Sequence, residues 1–494
     1  MHANIISVKR YVMIPLLLFT AFVIMFISVF TSIEYIHDQA EKPLSPSLVL
    51  RGSITSSGGA IAYNSSSITK RLWGPKALLE SSCNEELEKI VQLKCEEIQS
   101  LPHVNVDTPY AWVELREQRQ QADSTRFLVG THTPGGNTGL EAALDLVLST
   151  RFVFSKTSTQ PTVETTIDAG LQKITDDYVS QIADQLGPER AWIVIISNKG
   201  DILAGSAFTK NKAGSSPLYQ ELFEPGSIFK PLVMAWALDV GAIDTSFTVY
   251  SPGVTQIDGI TIRDWKFLGT VDLTKALQQS SNIYMATVAK KTGYDRLIAG
   301  LKRYGMDDPV LHFPGEAKSI LPQNTQASLL NAGFGQGVAL TPLQFVRAYT
   351  AIANNGVLYN LRLVKSITVG DQHIEFPTAT PTRVVSPESA NIVRNIMKTI
   401  ATPTVSAAAV PYKGKYFNVA AKSGTAQVPV NGQYNQTDRL YSYVGLLPGD
   451  NPEMILLISI DRPQKISPSL AVYVAAPWFR QVVRDVMLFK GFIP

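Results

Sequence analysis

Residues 224–231 read Glu-Pro-Gly-Ser-Ile-Phe-Lys-Pro, and an uncharged apolar run, 232–238, follows them. A proline deep inside a helix would lose a hydrogen bond and clash with the preceding turn, so Pro231 fits only if a helix begins near Ser227. The i, i+3 spacing then places the Ser227 hydroxyl and the Lys230 amine on one helix face. A buried lysine whose charged form is disfavoured can accept the serine proton, so this pair predicts a nucleophile beside its base.

A serine and asparagine motif follows at residues 280–282, which read Ser-Ser-Asn. It stands at the start of a predicted amphipathic helix, 283–291, so Ser280 offers a hydroxyl and Asn282 an amide at a helix N-terminus. The motif is weak alone, as is Ser-x-x-Lys, which recurs in a polar loop at 67–70. The order of the motifs along the chain gives them weight.

The third motif is Lys422-Ser423-Gly424-Thr425, inside an alternating segment, 417–428, that predicts a strand. The lysine supplies a positive charge, and the serine and threonine supply hydroxyl groups. The glycine leaves room for the backbone of a substrate to approach the strand. The motif therefore predicts a substrate-binding strand.

The composition of the chain excludes several classes of protein. Its 494 residues include 44 Lys+Arg and 41 Asp+Glu, a net charge of +3, and no basic run with interleaved aromatic residues, so we expect no nucleic-acid binding. No His-Glu-x-x-His or Cys-x-x-Cys cluster indicates a metal site, and we expect no cofactor. The absence of Gly-x-Ser-x-Gly, and of a histidine near Ser227 in the sequence, disfavours a Ser-His-Asp hydrolase.

The N-terminal part of the sequence predicts a membrane anchor. Residues 12–33 carry no charged side chain, and at about 1.5 Å per residue they would just cross a hydrocarbon core of about 30 Å. A cleaved signal peptide is the alternative, which the length of the span and the lack of an Ala-x-Ala-like site disfavour. Lys9 and Arg10 precede the span and acidic residues follow it, so residues 1–11 are expected in the cytoplasm. This arrangement predicts a single-pass protein of the cytoplasmic (inner) membrane whose catalytic domain lies outside, periplasmic or extracellular.

Cys83 and Cys95 would lie in the exported part, where disulfides persist. If residues 86–99 form one helix, as their apolar spacing suggests, the thiols are too far apart to pair unless the chain turns back around Asn84. A disulfide and two free thiols therefore both stay open.

The patterning after residue 160 predicts an α+β domain with helices packed on an antiparallel sheet. The predicted elements are strands at 163–167, 192–196, 202–207 and 455–460 and helices at 171–185 and 475–488. The predicted segments are a cytoplasmic tail (1–11), a transmembrane helix (12–33), a small pedestal or dimerisation-like domain (34–160) and a catalytic domain (161–494).

The order Ser-x-x-Lys, Ser-x-Asn and Lys-[Ser/Thr]-Gly is the signature of serine β-lactamases and penicillin-binding proteins. With it, the chain resembles a class B penicillin-binding protein, a membrane-anchored peptidoglycan D,D-transpeptidase with a penicillin-binding transpeptidase-like domain. Further segments that resemble motifs of this family are Arg51-Gly52-x-Ile54 with Gly59, Gly139-Leu140-Glu141, Thr166-Ile167-Asp168 with Leu171-Gln172, and 333–337 (Gly-Phe-Gly-Gln-Gly) followed by Thr341-Pro342. Ser56 and Ser57 stand where the family pattern has Asp-Arg, which weakens assignment to a division or elongation subgroup but not the catalytic assignment.

The resemblance implies a role in the reaction for three side chains. Ser227 would attack the carbonyl between the two D-alanines of a peptidoglycan stem peptide, with Lys230 as its base. Ser280 would relay the proton to the leaving amine. An acceptor amine from a neighbouring stem would then resolve the acyl-enzyme.

The resemblance also implies how the substrate is held. Asn282 would bind the peptide amide, Lys422 would contribute positive charge, and Ser423 and Thr425 would offer hydroxyl groups to a substrate carboxylate. The oxyanion hole would be formed by the backbone N–H groups of Ser227 and Thr425.

The implied partners are peptidoglycan stem peptides as substrates and β-lactam antibiotics as inhibitors. No segment before residue 160 has the length and patterning of a glycosyltransferase domain, so glycan polymerisation would come from a SEDS-type glycosyltransferase in the membrane. Two alternatives stay open: a β-lactam-hydrolysing or β-lactam-sensing protein with the same nucleophile, and a catalytically silent cell-wall scaffold. The antibiotic turnover rate separates the first, and acylation by labelled penicillin separates the second.

Overall fold

A computed structural model describes residues 52–64, 71–75, 103–104, 110–114, 119–121, 125–133, 136–144, 148, 161–210, 215–378, 380–430, 433–466 and 470–494. The predicted membrane span, 12–33, lies outside these ranges, as do Arg51, Cys83 and Cys95. Among the helices that the structure describes, none combines the length and apolarity needed to cross a bilayer.

The strands are, in chain order, β1 Ser53–Ser56, β2 Gly59–Asn64, β3 Arg71–Pro75, β4 His103–Val104, β5 Tyr110–Glu114, β6 Arg119–Gln121, β7 His132–Thr133, β8 Gly136–Asn137, β9 Thr162–Thr165, β10 Arg190–Ser197, β11 Ile202–Thr209, β12 Val249–Ser251, β13 Val254–Ile257, β14 Ile260–Arg263, β15 Gly269–Val271, β16 Val357–Leu358, β17 Val364–Val369, β18 Gln372–Glu375, β19 Thr382–Arg383, β20 Pro411–Tyr412, β21 Lys415–Tyr416, β22 Ala420–Val430, β23 Gln433–Leu447 and β24 Met454–Asp461. The helices are α1 Arg126–Val129, α2 Gly139–Ala143, α3 Ala169–Leu186, α4 Lys230–Asp239, α5 Leu273–Gln278, α6 Asn282–Thr292, α7 Tyr294–Arg303, α8 Gln326–Ala332, α9 Pro342–Ala353, α10 Pro387–Ile400, α11 Ala471–Val474 and α12 Ala476–Phe489. A 3-10 turn, Gly226–Phe229, precedes α4.

The described residues fall into two compact units. The smaller unit contains the described strands between Ile68 and Glu117, which form an antiparallel sheet in the order β3-β5-β4. The larger unit contains all the other described residues and carries the three sequence motifs.

The larger unit is built around an antiparallel sheet whose described strands have the order β11-β10-β24-β23-β22. Successive residues of β10 point to opposite faces of this sheet. Trp192 and Val194 pack into a core with α4, α6 and α9, whereas Ile193 and Ile195 pack into a second core with α3 and α12. Both faces are therefore buried, which explains the continuous apolar run in β10 and confirms the predicted α+β arrangement of helices on an antiparallel sheet.

A second sheet has the described order β18-β17-β9-β1-β2-β6, and within it β1 runs parallel to β9. Gly52 precedes β1 and passes close to β9, because a Cβ atom at Gly52 would lie 2.4 Å from the carbonyl oxygen of Pro161. Strands from the segment predicted as a pedestal, 34–160, therefore share one sheet with strands of the segment predicted as the catalytic domain. Of the strands in this sheet, the sequence predicted only the one at 163–167, and it carries no signal for the long-range pairing.

Candidate active site

Ser227 lies in the 3-10 turn Gly226–Phe229, and α4 begins at Lys230. Pro231 falls in the first turn of α4, where its missing N–H removes no helical hydrogen bond. The predicted helix start near Ser227 is confirmed, with a first turn that is 3-10 rather than α-helical. Ser227 is partly exposed, as its predicted role as a nucleophile requires.

Two hydrogen bonds and a close approach of Gly335 fix the turn that carries Ser227. Gly226 has φ +55°, a left-handed conformation that favours glycine, and its N–H donates to the carbonyl oxygen of Gly335 at 2.9 Å. The Tyr349 hydroxyl donates to the carbonyl oxygen of Ile228 at 2.5 Å. A Cβ atom at Gly335 would lie 2.2 Å from the Gly226 oxygen, so the glycine-rich segment 333–337 has no room for a side chain at that position.

The Lys230 amine is fully buried and contacts the Ser-Ser-Asn motif. Its Nζ donates to the Ser280 carbonyl oxygen at 2.5 Å and to Asn282 Oδ1 at 2.7 Å, and it lies 3.2 Å from Ser280 Oγ. Within the described part of the chain, no hydrogen bond joins this amine to the Ser227 hydroxyl. The predicted nucleophile and base are thus on adjacent turns but not bonded to each other in this structure.

The Lys422 amine also contacts the Ser280 hydroxyl. Its Nζ donates to Ser280 Oγ at 3.1 Å and to the Ser423 carbonyl oxygen at 2.8 Å, and the side chain is buried. Burial lowers the pKa of Lys422 to about 7. Burial and, secondly, the positive charge of Lys422 hold the pKa of Lys230 well below its ordinary value, although Asp264 opposes the shift. The buried surroundings therefore favour the neutral form of the Lys230 amine, as a base requires.

Ser280 has an unusual backbone conformation between α5 and α6. Its φ of +56° is left-handed, which costs free energy at a residue other than glycine. With this backbone, both the carbonyl oxygen and the hydroxyl of Ser280 contact Lys230 Nζ. The sequence carries no signal for this conformation, because glycine, asparagine and aspartate are the residues that usually mark it.

Asp264 supports the start of α6 and was not predicted from the sequence. Its carboxylate accepts hydrogen bonds from the Ser281 hydroxyl (2.6 Å), the Asn282 N–H (2.5 Å) and the Ile283 N–H (3.1 Å). A negative charge at a helix N-terminus is favourable, and here it also fixes the backbone of Asn282. Asp264 is a single acidic residue after β14. Its distance along the chain from the three motifs gives no sequence signal for this contact.

Gly424 packs against the turn that carries the nucleophile. A Cβ atom there would lie 3.1 Å from Ile228 Cγ2 and 3.2 Å from the Ile228 nitrogen. The glycine was predicted to admit a substrate backbone; in the structure it admits the 3-10 turn. Its neighbour Thr425 is partly exposed, and its hydroxyl accepts a hydrogen bond from the Ala471 N–H at 3.0 Å, at the start of α11.

The family model for the penicillin binding protein transpeptidase domain matches residues 191–484, which include all three motifs. The chain belongs to the penicillin-binding protein transpeptidase family.

Relatives from several bacteria support this membership. Penicillin-binding protein PbpB from Mycolicibacterium smegmatis is 28% identical over 350 residues, which cover 65% of this chain and 53% of the relative. The probable peptidoglycan D,D-transpeptidase PbpC from Pseudomonas aeruginosa is 29% identical over 337 residues, which cover 65% of this chain and 58% of the relative. The chain thus spans little more than half the length of these relatives. The predicted resemblance to class B penicillin-binding proteins is confirmed.

Solved structures of the family have the same fold. Penicillin binding protein 3 from Mycobacterium tuberculosis, in its apo form, has a TM-score of 0.72 and 23% identity and covers 90% of this chain and 98% of its own. The TP domain of penicillin-binding protein 3 from Burkholderia pseudomallei has a TM-score of 0.59 and 26% identity. The match covers 66% of this chain and 96% of that domain.

The structure brings four of the predicted site residues into one hydrogen-bonded cluster: Lys230, Ser280, Asn282 and Lys422. Ser227 lies one turn from this cluster, and Ser423, Gly424 and Thr425 continue the strand that carries Lys422. Among the described residues, no group of three or more His, Cys, Asp or Glu side chains could hold a metal ion.

Proposed function

We propose that the chain is a serine-type peptidoglycan D,D-transpeptidase that cross-links stem peptides through an acyl-enzyme on Ser227. The observation that carries the proposal is that the Ser280 hydroxyl contacts the buried amines of both Lys230 and Lys422, at 3.2 and 3.1 Å. The family match and the relatives named as peptidoglycan D,D-transpeptidases support it.

Lys230 is suited to act as the base in acylation. A neutral amine has two N–H donors and one lone pair, and the two shortest contacts of Nζ are with carbonyl oxygens, those of Ser280 and of the Asn282 side chain. These contacts use both N–H donors and leave the lone pair for the Ser227 proton. The low pKa of Lys230 keeps that lone pair available near neutral pH.

The proton and the acyl group then move in a balanced sequence. Ser227 Oγ bonds to the carbonyl carbon of the penultimate D-alanine, and the C–N bond to the terminal D-alanine breaks. The proton taken by Lys230 passes through the Ser280 hydroxyl to the leaving amine. An acceptor amine attacks the ester, gives its proton back through the same groups, and releases Ser227 with a new peptide bond formed.

The remaining motif residues hold the substrate in this proposal. Lys422 contributes positive charge beside the substrate carboxylate, and Ser423 and Thr425 offer hydroxyl groups to it. Asn282 binds the peptide amide, and the N–H groups of Ser227 and Thr425 stabilise the oxyanion. N–H groups at the start of a helical turn have no partner within the helix, which suits Ser227 for this role.

Labelling with a fluorescent penicillin tests the proposal. The wild-type chain should form a stable covalent adduct, and Ser227→Ala should form none while remaining folded. Ser67→Ala, in the second Ser-x-x-Lys of the chain, is the matched control and should label normally. Labelling of Ser227→Ala at the wild-type rate would contradict the assignment.

The fate of the label distinguishes the proposal from its alternatives. A transpeptidase should hold the penicilloyl group for far longer than one catalytic turnover. Rapid release of hydrolysed antibiotic would identify a β-lactam-hydrolysing protein instead. A folded wild-type chain that is never acylated would identify a silent scaffold.

We further propose that residues 12–33 anchor the chain in the cytoplasmic membrane, with the catalytic domain outside, and contact a SEDS-type glycosyltransferase. A transpeptidase needs newly made glycan within reach, and helix association in membranes depends on small and polar positions such as Thr20, Ala21, Ser28 and Thr31. Replacement of 12–33 by an unrelated transmembrane helix should preserve penicillin labelling but impair function in cells. Full complementation by the swapped protein would show that the segment is only a tether.

A further inference from the structure

Three large aromatic side chains lie exposed around the loop that carries Asp264. The exposed fractions are 64% for Tyr250, 59% for Trp265 and 63% for Phe267. The rings of Tyr250 and Phe267 meet edge to face, with centroids 6.2 Å apart. Exposed apolar clusters of this kind mark binding surfaces more often than single exposed residues do.

These rings stand on a fixed backbone. The Trp265 indole donates to the carbonyl oxygen of Gln279 at 2.9 Å. Tyr250 is paired with Thr270 in the β12–β15 ladder, and the Leu268 N–H donates to the Ser251 carbonyl oxygen at 3.2 Å. A ligand that stacks on these rings would therefore order little of the protein, which reduces the entropic cost of binding.

A polar groove adjoins the rings. It has a volume of about 540 Å³, and its lining includes Lys266, Phe267, Asp272, Thr274, Gln278 and Gln279. Within the described part of the chain, the Thr274 hydroxyl and the Gln279 side-chain amide make no hydrogen bond. The groove thus combines an aromatic face with a hydroxyl, amides and a carboxylate that can bind a polar ligand.

One lining residue of the groove adjoins the catalytic cluster along the chain. Gln279, in its lining, immediately precedes Ser280, whose Oγ lies 3.2 Å from Lys230 Nζ. Trp265, which holds the Gln279 backbone, immediately follows Asp264, which fixes the start of α6. A ligand in the groove would therefore contact the residue that immediately precedes Ser280.

We propose that this groove and the rings of Tyr250 and Phe267 bind the amino-sugar glycan to which a stem peptide is attached. The C–H face of a pyranose ring carries partial positive charge and packs on the negative π face of an aromatic ring. Sugar hydroxyl and N-acetyl groups match the polar groups of Thr274 and Gln279, whereas a purely apolar protein segment would leave those groups unpaired. The volume falls within the range of small-ligand sites. The inference rests on the proposed function, because the stem peptide at Ser227 brings the glycan to the groove.

Binding of a peptide-free sugar tests the inference separately from catalysis. The probe is chitotetraose, a β-1,4-linked tetramer of N-acetylglucosamine, titrated into the full chain in detergent and followed by saturation-transfer NMR. Phe267→Tyr, which keeps an aromatic face, should bind as the wild type does. Phe267→Leu, which keeps an apolar side chain without that face, should bind roughly two- to tenfold more weakly. Tyr416→Leu is the matched control, because Tyr416 is 48% exposed on β21 and is not part of the groove, and it should bind normally.

Penicillin labelling of the same samples distinguishes a failure of the glycan site from a failure of the proposed function. Penicillin carries no glycan, so acylation of the wild type and of Tyr416→Leu reports on the proposed function apart from the sugar site. If the wild type is acylated but does not bind chitotetraose, or if Phe267→Leu binds it as tightly as Phe267→Tyr, the glycan site is wrong. If the wild type is folded but not acylated, the proposed function fails whatever the sugar titration shows.

Discussion

Replacing Lys422 by methionine removes one positive charge from the active site while keeping a side chain of similar length. The amines of Lys230 and Lys422 lie 3.2 and 3.1 Å from Ser280 Oγ, so they are at most about 6.3 Å apart. At an effective dielectric constant of about 20, two unit charges at that separation repel by about 2.6 kcal/mol. This repulsion corresponds to a change of about 2 units in the pKa of Lys230.

The sign of the change follows from the charge. A neighbouring positive charge disfavours the protonated form of Lys230 and lowers its pKa, so Lys422→Met raises the pKa of Lys230. Acylation needs neutral Lys230, and the acidic limb of the rate profile should therefore move to higher pH by about 2 units. Burial of Lys230 persists in the variant and keeps its pKa below that of an exposed lysine.

The assay is the stopped-flow rate of acylation by a fluorescent penicillin, measured from about pH 5 to about pH 10. Lys290→Met is the control, because it removes a charge from an exposed lysine on α6 that pairs with Asp258. Its acidic limb should stay at the wild-type position. If the Lys422→Met profile has a lower plateau but an unmoved acidic limb, the predicted pKa shift is wrong. Lys422 would then bind substrate without changing the pKa of Lys230.

Other substitutions test the rest of the cluster. Ser280→Gly and Ser280→Ala both remove the relay hydroxyl and should slow acylation. The glycine variant should be more stable than the alanine variant by roughly 1 kcal/mol, because residue 280 has a φ of +56°. Equal thermal unfolding midpoints of the two variants would contradict this expectation. Lys230→Arg should nearly abolish acylation, because a guanidinium does not deprotonate, whereas Lys422→Arg should weaken it less; equal acylation rates would reverse the assigned roles. Gly226→Ala should lower both the unfolding midpoint and the acylation rate, because φ is +55° and the new Cβ would lie 2.8 Å from that of Ala426; wild-type values of both would show that the turn adapts.

Much of the catalytic centre was predictable because its signals are local. Pro231 fixes where the nucleophile's helix can begin, and the apolar run after it is long enough to bury Lys230. The apolar run of β10 identifies a strand buried on both faces, and Thr341-Pro342 identifies the start of α9, where the structure has a capping box with Gln344.

The rest of the site could not be read from the sequence because it depends on contacts between distant segments. The Ser280 backbone is left-handed without the usual glycine or asparagine, and its conformation is fixed by contacts made through Lys230 and Lys422. Asp264 reaches the start of α6 from a different hairpin. Gly424 was assigned to a substrate because local patterning cannot show that the turn at Ile228 lies against it.

The most direct test of the account is the reaction of the purified full chain with a stem peptide that ends in D-Ala-D-Ala, in the presence of an acceptor amine. Mass spectrometry should detect an acyl group on the peptide that contains Ser227, one D-alanine released for each acyl group transferred, and a product joined to the acceptor. Ser227→Ala should give none of these. D-Alanine release by Ser227→Ala at the wild-type rate, or an acyl group on another serine, would contradict the assignment of Ser227 as the nucleophile.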